Sequence, residues 1–120
     1  MLVSFSTKYT ALDSREAALL EELSGEDRAA FNQLLADFEA DFRPEGQVER
    51  DTVYCLATLR WGIDRIRASE DATRAIFRAH GYQPAKIKLA LDELAGYQRE
   101  LIIRYEYFFS YLYRHRRAAA

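Results

Sequence analysis

Apolar residues recur along this chain at steps of three and four, the period of a helix packed on one side. Phe31, Leu34, Leu35, Phe38 and Phe42 fall on one stripe of "EDRAAFNQLLADFEADF". With Ser24 and Asp27 as start signals, this predicts a helix over 26–43. Pro44 and Gly46 in "RPEG" end it in a tight turn. Val48, Thr52, Cys55, Leu56, Leu59, Ile63 and Ile66 then share a face. The alternating steps from Thr52 to Ile66 resemble a coiled-coil seam and predict a helix over 47–80. The pattern weakens at "ASEDATR", where Glu70 and Arg74 occupy the apolar face. A break at Ser69 or a kink near 69–71 is open there. Phe77 returns to register and favours continuation to His80.

"HGYQP" is both a stop and a start: Gly81 suits a left-handed helix end, and Pro84 suits a first helical turn. Beyond it Ile87, Leu91, Leu94, Gln98, Leu101, Tyr105, Phe108 and Leu112 keep one register. They predict a helix over 84–117, about 50 Å long. The short link makes the two long helices an antiparallel hairpin. Upstream, "DSREAALLEEL" reads as a short helix over 13–23, with 1–12 irregular. No strand-like alternation occurs. The expected fold is all-α: one helical domain over 1–120, built on a long antiparallel hairpin with a medium and a short N-terminal helix.

The last helix carries six aromatics between Tyr105 and Tyr113. At 100° per residue, Tyr105, Phe108, Phe109 and Leu112 point with the core seam, while Tyr107 and Tyr111 point elsewhere. So do Leu89, Gly96 and Ile103, with Glu93 and Glu100 among them. Tyr54 and Trp61 lie off the main seam of the preceding helix in the same way. Arg65, one turn past Trp61, is placed to stack on it. Two long helices with second apolar stripes exceed what the N-terminal helices can cover. Leu89, Ile103, Tyr107, Tyr111, Tyr54 and Trp61 are therefore interface candidates, first for a homo-oligomer and then for another protein.

The 120 residues are 49% hydrophobic with five glycines and two prolines, a composition of long helices rather than disorder. The net charge of −2 hides a split: five basic and twelve acidic residues over 1–51, twelve basic and seven acidic over 52–120. Arg60, Arg65, Arg67, Arg74, Arg78, Lys86 and Lys88 gather towards the hairpin loop, and Arg114, Arg116 and Arg117 at the far end. With aromatics nearby, these are nucleic-acid candidates. A pI near 5.7 argues against a dedicated binder.

Candidate chemistry is sparse. Cys55 is the one cysteine and sits on an apolar face, so it reads as a core thiol. His80 reads as part of a helix end and His115 as solvated. There is no Glu-x-x-His step, phosphate loop or cysteine pair, so no catalytic residue, metal ligand or cofactor is expected. The opening "MLVSFSTKYT" has neither a basic n-region nor a long apolar run, which predicts no signal peptide, no membrane span and a cytoplasmic protein.

One resemblance is carried by Gly25, Glu26, Asp27, Phe31, Leu34 and Leu35, by Pro44, Gly46 and Glu49 at the turn, and by Leu59, Arg60, Trp61, Arg65 and Glu70. Tyr97, Leu101 and Tyr105 add a looser step. The pattern resembles a group of small uncharacterised bacterial all-helical proteins, over roughly 23–71 and more loosely 94–112. The resemblance implies a helical fold and points to no particular activity. The basic, Gly/Pro/Ser-rich N-terminal extension of many in that group is missing here. The function expected from the sequence is a non-enzymatic helical interaction module that self-associates, with a nucleic-acid accessory role as the alternative.

Overall fold

The computed structural model describes residues 25–81 and 84–119. The expectations for 1–12 and for a helix over 13–23 lie outside them. The described residues form three helices: α1 (Gly25–Phe42), α2 (Gly46–His80) and α3 (Pro84–Ala119). The protein is an all-α helical bundle whose frame is the hairpin of α2 and α3.

Local chemistry sets the helix ends. Glu26 and Asp27 occupy the first turn of α1, where carboxylates meet the positive end of the helix dipole. Arg43 leaves α1 with a positive φ of 47° and donates its amide to the Glu39 carbonyl at 2.9 Å. α2 runs unbroken through 69–71 and closes on Gly81, whose left-handed φ of 67° lets its amide reach the Phe77 carbonyl. Arg116 and Arg117 fall in the last turn of α3, where cations offset the dipole.

The core is confined to one half of the hairpin. Phe31 of α1, Val53, Cys55, Leu56, Leu59, Ile63 and Ile66 of α2, and Leu101, Phe108 and Leu112 of α3 are all buried. α1 lies along α2. Its Phe31 ring stands edge-on to Tyr54 at 6.0 Å and to Trp61 at 5.8 Å. The second face of α2 is thus inside the bundle, which is why Val53, Ala57 and Thr58 are buried although they lie off the main seam. The hydroxyls of Thr52 and Thr58 donate to the carbonyls of Val48 and Tyr54, so neither brings an unpaired group inside.

Towards the loop the layering stops. No residue of 67–80 or 84–100 with described burial is buried, and Ile87, Leu91 and Leu94 are only half-buried. Two positions placed on core seams by periodicity also differ. Val48 is exposed, one turn into α2 and beyond the shelter of its neighbours. Phe109 is 40% exposed and packs sideways on Phe42 and Tyr113 instead of inward. Its neighbour Phe108 takes the inward position.

Candidate functional site at the open end of the bundle

The end of α1, the start of α2 and the end of α3 converge opposite the hairpin loop, and Glu49 is their meeting point. It lies in the first turn of α2, 5% exposed. Its Oε1 accepts from the Glu45 amide at 3.1 Å and from Arg116 Nε at 3.1 Å. Its Oε2 lies 3.2 Å from His115 Nδ1, and a carboxylate there calls for the tautomer that donates from Nδ1. Arg116 also donates through Nη2 to the carbonyls of Phe42 and, at 3.4 Å, Arg43. One guanidinium thus ties α3 to both sides of the α1–α2 turn.

The electrostatics follow from these partners. Burial pushes the Glu49 carboxyl up, but the Glu45 amide, Arg116 and His115 together pull harder and hold it below the ordinary glutamate value. His115, expected in solvent, is half-buried, with its ring stacked on Tyr111 at 6.1 Å. Gln47 donates to the buried Asp51 at 2.8 Å, so the second carboxylate of this turn is also satisfied. Beside the cluster is a cleft of about 330 Å³ walled by Phe42, Phe109, Leu112 and Tyr113, with Arg116 and Arg117 at its rim.

Chemically this is a clamp. Of the groups bonded to Glu49, His115 and Arg116 tie α3 to α2, and the Glu45 amide holds the start of α2 itself. The lone thiol, Cys55, is fully buried in the core. Among the described residues no group of three or more His, Cys, Asp or Glu side chains could hold a metal ion.

The interface candidates divide. Tyr54 and Trp61 pack against the core under Phe31, so α1 covers the second stripe of α2. Tyr107 and Tyr111 are half-buried, Tyr107 edge-on to Phe108 at 5.5 Å and Tyr111 on His115. Leu89 and Ile103 stand out at 66% and 46% exposure.

The basic candidates do not form one face. Arg60 pairs with Asp64, Arg65 with Asp27, Arg74 with Asp71, Lys88 with Asp92 and Arg116 with Glu49. Arg65 also lies over the Trp61 ring at 5.5 Å. Arg78 and Lys86 are exposed at the hairpin tip, Arg67 partway along α2, and Arg114 and Arg117 at the opposite end. Arg60 further faces Tyr105, whose hydroxyl burial pushes up against the opposing pull of that guanidinium.

Periodicity does not announce the Glu49 clamp, because its members sit 66 and 67 residues apart. The hairpin itself supplies the signal. Glu49 and His115 have numbers that add to 164, as do His80 and Pro84 on either side of the loop. Residues that pair across an antiparallel hairpin keep such a constant sum when both helices rise equally.

No family model, no curated protein and no solved structure matches this chain. The resemblance drawn from the sequence rests on its own motif residues.

Proposed function

We propose that this protein is a non-enzymatic helical interaction module that self-associates through the outer face of α3. The observation that carries the reading is the pair of exposed apolar side chains on one line of that helix, Leu89 over the hairpin half in which no described residue is buried and Ile103 at the edge of the buried core. Large apolar side chains exposed on an otherwise polar helix face suit a protein partner. The clamp at Glu49 supports a structural role for the strongest polar cluster, since the bonds of His115 and Arg116 join α3 to the end of α1 and the start of α2. No described helix is long and apolar enough to cross a membrane. The nucleic-acid reading stands second: half of its cationic candidates already face carboxylates, and the rest are scattered along a molecule 57 Å long.

The test is light scattering after size exclusion on the wild type and on Leu89→Glu/Ile103→Glu. The expected result is a wild-type dimer or larger assembly that becomes a helical monomer in the variant. A wild type that stays monomeric at about 100 µM, well above the micromolar range of ordinary specific association, overturns the proposal.

A further inference from the structure

Two glycines lie inside the long helices, and only one has a reason within the fold. A Cβ on Gly62 would stand 3.0 Å from Cδ1 of Leu101, so Gly62 lets α2 and α3 approach. A Cβ on Gly96 would meet nothing within 4 Å among the described residues, and Gly96 is exposed. Glycine in a helix interior costs about 1 kcal/mol against alanine. What glycine offers in return is a surface on which a second backbone can come close.

The neighbours of Gly96 fit such an approach. Leu89 lies seven residues before it and Ile103 seven after, so the three share one line along α3, two turns apart. Lys88, Asp92, Arg99 and Glu106 follow one edge of that line and are all exposed. Their order is self-complementary about Gly96. A two-fold axis through the glycine sets Leu89 against Ile103 of a second copy, Asp92 against its Arg99 and Lys88 against its Glu106. Residues on the same edge face each other in an antiparallel helix pair related by such an axis, and a two-fold contact must be self-complementary in this way.

We propose that α3 packs antiparallel against α3 of a second copy, with the two helices crossing at Gly96. This rests on the self-association reading and gives it a register and a symmetry. Each hairpin tip then lies beside the three-helix half of the other copy, which supplies the layer that the tip lacks among the described residues. The opposite edge of the line sets Glu93 against Glu100 of the second copy, a repulsive contact that fixes the sign of one test. Glu93→Lys turns it attractive and is expected to tighten the dimer several-fold.

The register is read by cysteine cross-linking in the full chain. Gly96→Cys, Leu89→Cys, Ile103→Cys and the double Leu89→Cys/Ile103→Cys are oxidised under mild conditions, with the wild type as control. Cys55 is fully buried and stays out of the reaction. Gly96→Cys and the double variant are expected to form covalent dimers. Leu89→Cys and Ile103→Cys alone are not, because like positions in the antiparallel pair are about 21 Å apart, far beyond disulfide reach. Single variants at 89 and 103 that link as readily as the one at 96 would mean a parallel pair. A dimer by light scattering in which no position links would mean another surface. Either outcome overturns the register while self-association stands. A monomer at every concentration removes both readings.

Discussion

Glu49 is a single carboxylate on which three chain segments depend. Because its folded-state ionisation lies below the usual glutamate value, its contribution is fully present at neutral pH. That contribution is lost as pH falls below about 4.3 and through the folded value. Glu49→Gln keeps the shape but loses the charge that His115 and Arg116 address. The expected cost is about 1–2 kcal/mol at pH 7, in the range of charge-assisted bonds from a buried carboxylate to partly exposed partners. Thermal unfolding from pH 7 to pH 3 checks it: the wild-type melting temperature should fall more steeply across the acid range than that of the variant. Parallel curves would show that Glu49 does not carry the acid response. The sequence hinted at this residue only through the resemblance, whose turn pattern joins Pro44, Gly46 and Glu49. Its partners become visible once the hairpin register is known, because ion pairs depend on which helix ends meet. Phe109 failed in the opposite direction. Periodicity placed it inward, yet Phe108 fills that position, and Phe109 turns to Phe42 and Tyr113.

At the scale of the elements, the two interior glycines make opposite predictions. Gly62 faces Leu101, itself 1% exposed, so Gly62→Val overpacks the α2–α3 contact and should destabilise by about 1–3 kcal/mol. Gly96 has open space in the single chain, so Gly96→Ala in dilute solution should stabilise by about 0.5–1 kcal/mol through helix propensity alone. Urea unfolding of both variants measures the contrast, and equal destabilisation would contradict it. The helices themselves were legible, because a seam of three and four steps over many turns is a strong signal and "HGYQP" punctuates it. The burial of Val53, Ala57 and Thr58 was less so. Those residues are hidden by α1, and the side of α2 on which α1 lies is a tertiary fact that one helix's periodicity does not contain. The same fact half-buries Tyr54 and Trp61.

The whole molecule is uneven. Its dimensions are 57 × 31 × 24 Å, with a radius of gyration of 16.7 Å where a compact chain of this length has about 14 Å. Among the described residues, three helices share a core at one end, and two helices extend to the other. Amide hydrogen exchange in dilute solution should divide along that line. Residues 52–66 and 101–112 should be protected to nearly the global unfolding free energy, and 67–80 and 84–97 should exchange much sooner. Uniform protection along α2 would show that the tip is as cooperative as the body. This unevenness was hidden in the sequence, since the register of α3 runs on past the place where burial ends.

Cys55 lies in the protected half with no exposed surface. It is the chain's one thiol. The protein therefore contains its own clock: a thiol reagent added to the native state can react only when the body opens. Fraying of the tip leaves that reaction silent, so its rate reads the opening of the three-helix half alone.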